Sequence, residues 1–447
     1  MGYSFVTADR DQVFLMPPDV REWLSGSDLV WTVLDAVEQM DLSAFRAQYR
    51  ADGRSRPAYD PGLMVALLLF AYCDGVRSSR QIERHCARDV GYRVISGNLG
   101  PDHATIARFR ARHRAALAGV FTQVLRLCAE AGLVRVGLVA LDGTKLRGNA
   151  RGTANRTRAQ IEAEIAELTA AVETMLAEAD QVDATEDAAQ DSASGGDDPP
   201  AGLAERRARL ARLREAKARL DAEDKAAQDH QDQRRADWTA AKEAGTKVGR
   251  RPGPRPPKGA RNHKVNLVDP DSRIMKTHNG FCQGYNGQIV VGAGQIILAA
   301  GVLQSSTDNS ALHPMLGAAQ DQLDAAGVDQ RIRGAVADAG YGGKTNLASD
   351  TEITLLVATA SGRKKADTAP PKDPNVAAMT RRLQTPLGRR LYRRRAGRVE
   401  PVFGQIKNRL GPHLDHRGID AVTTEWNLIT TSHNLLKYWR AQAPSTA

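Results

Sequence analysis

Residues 134–145 read VRVGLVALDGTK, an apolar, β-prone run that ends in an aspartate and a glycine. This run predicts a buried strand with Asp142 at its carboxyl end. A second run, residues 332–342, reads IRGAVADAGYG and repeats the pattern with Asp338. Ligands of open α/β sheets bind at the carboxyl ends of the strands, so the two acids can share one site if their strands are neighbours. The two runs therefore predict a mixed sheet with an acidic site.

A third acid, Glu400, lies at the start of a predicted helix, where residues 399–407 read VEPVFGQIK. Pro401 fits only the first helical turn, and Glu400 and Lys407, two turns apart, then share a helix face. Three converging carboxylates suit two divalent cations, which activate a water or a 3′-hydroxyl and stabilise the leaving oxygen in phosphodiester chemistry. A single aspartate at a strand end is more often a turn or cap residue. We interpret Asp308, in the sequence STDNS, as the N-terminal cap of the helix that follows it.

The remaining sequence between and after these acids alternates strand and helix patterns, which predicts one mixed sheet with helices around it. A helix is expected over about residues 310–326, and two more over residues 399–410 and 421–440. An apolar stripe predicts that the last helix packs on the core; it comprises Val422, Trp426, Ile429 and Leu436. Short runs separated by turn residues predict a meander and one further strand, over residues 265–268, 273–277, 287–291, 296–302 and 355–358.

Apolar residues recur at helical spacing from about residue 18 to residue 135, which predicts an all-α N-terminal domain, residues 1–133. One of its helices follows a glycine turn and carries Arg108, Arg110 and Arg112. Such a basic helix can bind DNA, as in helix-turn-helix proteins, and can equally be the solvated face of a bundle helix. In the first case these arginines lie near the DNA, and a fragment of about residues 1–135 is expected to bind DNA by itself.

Residues 151–261 form a predicted insertion whose composition and apolar spacing differ from those of the flanking sequence. Apolar residues from Ile161 to Ala179 alternate four and three apart, and residues 203–220 continue a similar seam, which predicts two antiparallel helices of a coiled coil. Residues 183–200 between them are acidic and rich in Ser and Gly, so we expect a disordered tip. Residues 249–261 form a basic Pro/Gly linker that can contact phosphates. The hairpin is either an arm for dimerisation or DNA clamping, or a passive insertion.

Composition limits the class of protein. The 447 residues suggest roughly two to four domains, and 62 Lys+Arg against 52 Asp+Glu give a net charge of +10 that favours a polyanionic partner such as nucleic acid. The four cysteines form no C-x-x-C pair, which argues against a disulfide framework or a zinc finger and for a reducing compartment. Neither a membrane span nor a signal peptide is indicated, so we expect a cytosolic protein.

Six segments in a specific order carry a family resemblance, and together they cover most of the chain outside residues 151–261. They are SSRQIE (78–83), PDHATIARFR (101–110), LDGT (141–144), GYNGQ (284–288), ADAGY (337–341) and VEPVFGQIK (399–407). The chain with these segments resembles the DDE transposases of bacterial insertion sequences.

The resemblance implies an α+β fold whose ribonuclease H-like mixed-sheet core comprises residues 134–150 and 262–440. It implies a catalytic, metal-binding triad of Asp142, Asp338 and Glu400 with two Mg²⁺ ions, for which Mn²⁺ can substitute. Such enzymes cleave double-stranded DNA at the inverted repeats that end their element and join the 3′-hydroxyls to target DNA. A homodimer or higher oligomer on DNA, in the bacterial cytoplasm with the nucleoid, is implied as well.

Related enzymes carry a signature of Tyr, two residues, Arg, three residues, Glu, six residues and Lys. Glu400 and Lys407 match it, whereas four residues separate Arg395 from Glu400. Tyr392 and Arg395 keep their mutual spacing, so the resemblance implies DNA contacts for Tyr392, Arg395 and Lys407. Arg394 and Arg398 are the alternative arginines. The long insertion after the first aspartate is another departure, because many relatives carry a β-rich insertion between the second acid and the glutamate.

Two other functions stay open on the sequence. One is a catalytically inactive DNA-binding protein derived from such an enzyme, and the other is a metal-dependent nuclease without strand transfer. Water and a 3′-hydroxyl would use the same site, so one sequence does not separate hydrolysis from transfer.

Overall fold

The computed structural model describes residues 19–49, 58–188, 202–246, 248–254, 264–277, 280–349, 351–359, 371 and 373–442, and every structural statement refers to these ranges. Residues 189–200 of the expected disordered tip and residues 255–261 of the basic linker lie outside them. The helices up to residue 130 are α1 (Leu29–Glu38), α2 (Ser43–Arg46), α3 (Pro61–Asp74), α4 (Ser79–Arg88), α5 (Val90–Ile95), α6 (His103–Arg112) and α7 (Arg114–Glu130).

The described chain after residue 130 contains both strands and helices, including one long helical pair. The strands are β1 (Leu138–Arg147), β2 (Asn155–Thr157), β3 (Lys264–Asn266), β4 (Arg273–Thr277), β5 (Gly280–Val291), β6 (Ile297–Leu303), β7 (Gly334–Ala337) and β8 (Thr354–Val357). The helices are α8 (Arg158–Ala188), α9 (Leu203–Glu243), α10 (Leu312–Ala325), α11 (Lys344–Ala348), α12 (Pro374–Gln384), α13 (Pro386–Arg393), α14 (Val399–Leu410) and α15 (Ile419–Gln442).

The central sheet is mixed and has six strands. β1 lies in the middle, with β7 and then β8 parallel to it on one side and β5 antiparallel to it on the other. The far edge of β5 pairs with β6 along one part and with β4 along another. With its flanking helices, this arrangement is consistent with a ribonuclease H-like core.

β1 differs from its prediction in one important respect. The strand continues past Asp142 to Arg147, because residues 140–147 pair with β5, whereas its pairing with β7 ends at Leu141. Asp142 therefore lies inside the strand, and the expectation that it ends the strand is wrong. β3 pairs only with β2 in a separate two-stranded sheet, so it is not part of the predicted meander. The helices α12 and α13 occupy a stretch without a predicted element.

The inserted hairpin has the predicted antiparallel helices, although both are longer than expected. α8 continues to Ala188 through the first six residues of the expected tip, and α9 continues to Glu243. Its base has a small core of its own, formed by Ile161, Leu213, Leu220 and Val265. Complementary charges add to this packing, as in the ion pairs of Arg158 with two aspartates of α9. The paired β2 and β3 close the base of the hairpin.

The C-terminal helix α15 joins the two halves of the chain. Its predicted apolar stripe is buried as expected, and Trp426 is fully buried. α15 contacts β6 on one side and α3 and α7 on the other, so helices before residue 131 and strands after residue 137 share one hydrophobic core. The expectation of an independent fragment of residues 1–135 therefore conflicts with the packing, because much of the face of α7 is covered by α15.

The described helices contain no single segment that is long and apolar enough to cross a membrane. Helices α3 and α4 reach that length only as a pair bent by 96°. Helix α3 is the central helix of the N-terminal bundle, and its residues from Met64 to Cys73 are buried.

Candidate active site

The two strand aspartates lie side by side in the middle of the sheet. The parallel register ends with the pair of Leu141 in β1 and Ala337 in β7. Asp142 and Asp338 are the residues that directly follow this pair, so they lie next to each other. β7 ends at Ala337, and the Asp338 carboxylate then accepts a hydrogen bond of 2.8 Å from the Gly340 backbone N–H. The parallel register thus places the two carboxylates near each other, and Asp338 is close enough to raise the pKa of Asp142.

Glu400 is linked to Asp142 by an arginine side chain that contacts both carboxylates. Arg395 donates from Nη2 to Oδ2 of Asp142 at 2.6 Å, and its Nη1 lies 3.5 Å from Oε1 of Glu400. Arg395 is largely buried, whereas the Glu400 side chain is 60% exposed at the first turn of α14. One guanidinium therefore bridges the first and third predicted acids, and among Arg394, Arg395 and Arg398 it is Arg395 that contacts them.

Burial and like charges act together on Asp142. Burial raises the pKa of Asp142 to about 6, repulsion from Asp338 and Asp308 adds to the increase, and the guanidinium of Arg395 opposes it. A carboxylate in this environment gains from a nearby cation. The donor set of Asp142, Asp338 and Glu400 consists of carboxylate oxygens, the ligands that Mg²⁺ prefers. The bridging guanidinium shows that a positive charge fits between two of them, although the described residues hold no preformed group of three metal ligands.

Asp308 is a third aspartate at this site, and its interpretation as a helix cap is wrong. Its side chain makes no cap hydrogen bond to the turn of residues 309–311 that precedes α10. Instead Oδ1 accepts from Lys145 Nζ at 3.1 Å, from Asn286 Nδ2 at 2.6 Å and from Gln288 Nε2 at 2.9 Å. A Cβ at Gly340 would lie 3.0 Å from Asp338 Oδ1 and 3.2 Å from Asp308 Oδ2, so both carboxylates border this glycine.

The partners of Asp308 come from the paired strands β1 and β5. Gly143 pairs with Gln288 and Lys145 pairs with Asn286, so these residues share one face of the sheet. Gln288 is fully buried and also accepts a hydrogen bond from the hydroxyl of Tyr341. A signal for this network is present in the sequence, because GYNGQ places two amides at alternate positions of a largely apolar strand. The sequence STDNS resembles a helix N-cap, and for that reason the sequence alone does not assign Asp308 to this network.

The other signature residues lie on α13 and α14 or between these helices. Lys407 is half-buried on α14; burial lowers its pKa, and the Asp142 carboxylate opposes that effect. Tyr392 is half-buried and packs against the hydrophobic core. Arg398 donates to the backbone carbonyl of Leu138 at the start of β1, and burial lowers its pKa. Arg394 is exposed.

The three arginines of α6 divide into two groups. Arg108 and Arg112 are exposed; Arg112 donates to the Gln48 carbonyl, and its guanidinium lies 4.7 Å from the ring centroid of Tyr49. Arg110 is only 7% exposed and donates to the Arg77 carbonyl at 2.7 Å and to Ser79 Oγ at 2.5 Å. The expectation that Arg110 contacts DNA is wrong, because its guanidinium is directed into the protein and bound there.

Comparison with known families gives two matches in chain order. Residues 19–112 match a family described as Transposase domain (DUF772), and residues 236–435 match the Transposase DDE domain. No curated protein and no solved structure matches the chain significantly. The second match includes Asp338 and Glu400 and begins within α9. The chain therefore belongs to the DDE transposases of the insertion-sequence type, a family of divalent-metal-dependent enzymes that cleave and transfer DNA strands.

Proposed function

We propose that this protein binds the terminal inverted repeats of its insertion sequence, cleaves DNA strands there and joins the 3′ ends to target DNA. The observation that carries the proposal is the convergence of Asp142 and Asp338 at the end of the parallel pairing, with Glu400 across Arg395. Asp142, Asp338 and Glu400 are the residues that would hold two Mg²⁺ ions, with Mn²⁺ able to substitute. The ions, when bound, supply Lewis-acid activation of the attacking oxygen and stabilisation of the leaving one.

The cationic side chains around the carboxylates then bind and orient the DNA. Arg395 is positioned to exchange its carboxylate partners for a phosphate near the scissile bond, because guanidinium binds either group in the same planar geometry. Lys407, half-buried on the same helix as Glu400, is suited to hold an adjacent phosphate. Tyr392 precedes Arg395 by one turn, packs against the core, and accepts from the Arg395 backbone N–H through its own carbonyl at 3.0 Å. These residues position the strand for in-line attack.

The direct test is a cleavage and joining assay on duplexes that carry the inverted repeats flanking the reading frame. Asp142→Asn, Asp338→Asn and Glu400→Gln keep size and hydrogen-bonding capacity but remove the charge that would hold a metal ion. We expect cleavage to fall by more than about a hundredfold, beyond the effect of losing a group that only supports a metal ligand. End binding should survive. Removing the divalent metal with a chelator should have the same effect on the wild-type protein.

The control variant is Asp321→Asn, which changes an exposed aspartate near the far end of α10 and should cleave normally. Cleavage without joining would identify a nuclease. End binding without cleavage by the wild-type protein would identify an inactive derivative. Normal cleavage by Asp142→Asn or Asp338→Asn would refute the proposed site.

We further propose that residues 1–133 are the DNA-binding part, with Arg108 and Arg112 near the DNA, and that residues 151–261 are an insertion in the core of residues 134–150 and 262–440. Because β2 and β3 pair at the base of the hairpin, residues 158–243 can be replaced by a short linker. Unchanged cleavage would indicate a passive insertion. Loss of end binding or of a DNA-bound dimer, the oligomer we propose, would indicate an arm for dimerisation or DNA clamping.

The three buried cysteines and the fourth, half-buried one are all free, in keeping with the bacterial cytoplasm that we propose as the location of the protein.

A further inference from the structure

A cleft of about 780 Å³ lies between the N-terminal helices and the catalytic half of the chain. One wall is α4, the floor is the first part of α6, and the opposite wall is the loop of residues 411–418 that follows α14. Arg80 and Arg84 line the first wall, Ala104 and Ala107 the floor, and His413 the loop. We call this feature the basic cleft.

The basic cleft offers positive charge that the described protein leaves unneutralised. Arg80 and Arg84 are exposed, lie one turn apart on α4, and form no ion pair or hydrogen bond with the described residues. Asp415 is the lining carboxylate, and it already pairs with Arg77 at 3.6 Å. The free charges of the cleft are therefore cationic, and they need an anionic partner from outside the chain.

The floor of the cleft is open to a bulky partner. Ala104 and Ala107 lie three residues apart on α6, so they share a face, and neither has atoms beyond Cβ. The longer side chains Arg108 and Arg112 do not line this cleft. A polymer backbone can thus approach the helix closely while the arginines of α4 reach it from the side.

The two walls are joined by a buried polar cluster, which fixes their separation. Arg77 donates to Oε1 of Glu425 at 2.9 Å and to the carbonyl of His413 at 2.6 Å. Glu425 is fully buried and also accepts from the backbone N–H groups of Asp415 and His416. Arg77 lies two residues before α4, while Glu425 lies on α15, so the cleft is preformed between the two halves of the chain.

The cleft is also connected to the carboxylates by a short path. Leu410 lines it and ends α14, the helix that carries Glu400 near its start. Ten residues of helix correspond to about 15 Å, which is roughly four base pairs of rise along a duplex. His413 is bridged to Arg147 at the end of β1, five residues after Asp142. One DNA molecule can therefore reach both places.

We propose that the basic cleft binds the phosphate backbone of the same DNA duplex whose scissile strand lies at Asp142, Asp338 and Glu400, with Arg80 and Arg84 as the phosphate-binding residues. This inference rests on the proposed function, because it assumes that the carboxylates act on DNA. It adds a second contact at a fixed distance from the cleavage point. Because phosphate contacts carry no sequence information, the cleft sets the position of the duplex and leaves the choice of sequence to other residues.

The test uses the full-length protein, a short DNA duplex of arbitrary sequence and binding titrations at several salt concentrations, between about 50 and 200 mM. We expect the double variant Arg80→Ala/Arg84→Ala to reduce the slope of log affinity against log salt by about two, because each lost phosphate contact reduces it by about one. The loss should be similar for unrelated sequences. The double variant to Lys, which keeps both charges, should restore most of the slope.

Arg88→Ala is the matched control, because Arg88 is exposed on the same helix but does not line the cleft. Arg88→Ala should lower the slope of log affinity against log salt by less than Arg80→Ala or Arg84→Ala does when each is made alone. An unchanged slope for Arg80→Ala/Arg84→Ala, with wild-type folding by circular dichroism, would overturn the cleft proposal alone. If the wild-type protein bound no duplex, the proposed function would fail with it. If the lysine variant bound as weakly as the alanine variant, charge would not be the reason, and the proposal would also fail.

Discussion

Asp308 shows how one residue's surroundings decide its role. A helix cap tolerates Asn almost as well as Asp, but this carboxylate accepts three hydrogen bonds, one of them from the Lys145 ammonium. Without the charge of Asp308, the Lys145 ammonium loses this ion pair, and the amides of Asn286 and Gln288 lose a charged acceptor. The network that holds Asp308 near Asp142 would then be weakened.

We therefore expect Asp308→Asn to lower the rate of strand cleavage about tenfold to a hundredfold, the equivalent of a lost charge-assisted hydrogen bond of about 1.5–3 kcal/mol. DNA binding should be nearly unchanged, because Asp308 is not a cation. The rate of single-turnover cleavage and the affinity for the terminal repeats are the two measurements. Normal cleavage would show that the charge of Asp308 does not support the catalytic carboxylates.

Gly143 is required by the same network. A Cβ at this position would lie 2.1 Å from Gln288 Nε2 and 2.7 Å from Asp308 Oδ1. Both neighbours are held by hydrogen bonds, so neither can move without losing a partner. Gly143→Ala should cost about 1–3 kcal/mol of unfolding free energy, as for overpacked sites, and should reduce cleavage. Gly119→Ala is the control, since a Cβ there meets no atom within 4 Å. Equal stability of the two variants, measured by urea denaturation, would contradict this account.

At the scale of elements, α15 carries a histidine that makes its packing sensitive to pH. His433 is buried, donates from Nε2 to the Gln295 carbonyl at 2.9 Å, and has a pKa lowered to about 4, chiefly by burial. The unfolded chain takes up this proton near pH 6.5, whereas the folded chain does so near pH 4. Stability should therefore fall as the pH falls through this window, by about 3 kcal/mol in total from this residue.

The variant His433→Gln keeps a hydrogen-bond donor and cannot titrate. We expect its unfolding free energy to depend less on pH than that of the wild-type protein between about pH 6.5 and pH 4. Urea denaturation of both proteins at several pH values gives the difference between their unfolding free energies. The contributions of the other titrating groups are the same in both proteins and cancel in this difference. Parallel curves would show that His433 is accessible to protons in the folded state.

Elements were predictable where a local pattern decides them. The spacing of apolar residues in α14 and α15, and the apolar run of β7, were enough to predict these elements. The extension of β1 from Gly143 to Arg147 was not, because residues 143–147 read GTKLR and their pairing partner in β5 lies about 140 residues further along the chain. The mutual placement of Asp142 and Asp338 could be predicted, since both follow apolar runs, but Asp308 reaches the site only through tertiary contacts.

At the scale of the whole molecule, the buried pair of Arg77 and Glu425 joins the N-terminal helices to α15. Both side chains are at most 5% exposed, so removing one partner leaves the other charge buried without its nearest counter-charge, although Glu425 keeps its contacts with Asp415 and His416. Arg77→Met should lower the unfolding free energy by about 3–5 kcal/mol. In a double-mutant cycle, Arg77→Met with Glu425→Gln should cost clearly less than the two single variants added together. Simple additivity in urea denaturation would mean that the two residues are not coupled.

The same packing predicts the behaviour of a truncated protein. Residues 1–135 contain α3 and α7 but lack α15, which covers both. The buried thiols of Cys73 and Cys128 lie within hydrogen-bonding distance of the α15 carbonyls of Ser432 and Asn434. We expect this fragment to lack a cooperative thermal transition and to aggregate, because it exposes an apolar face that the full chain buries. A sharp unfolding transition of the isolated fragment, followed by circular dichroism, would show that the N-terminal helices fold independently.

The position of α15 also has a consequence for how the protein is made. Helix α7 ends at residue 130, and the helix that covers it begins at residue 419. At roughly 5–20 residues per second, a ribosome needs on the order of 15–60 s to synthesise the chain between them. During this interval the nascent N-terminal half exposes an apolar surface, which favours aggregation. The N-terminal half thus completes its packing only once α15 has been synthesised, and a polypeptide from translation interrupted before α15, although it contains every N-terminal arginine, would compete poorly with the finished enzyme for DNA.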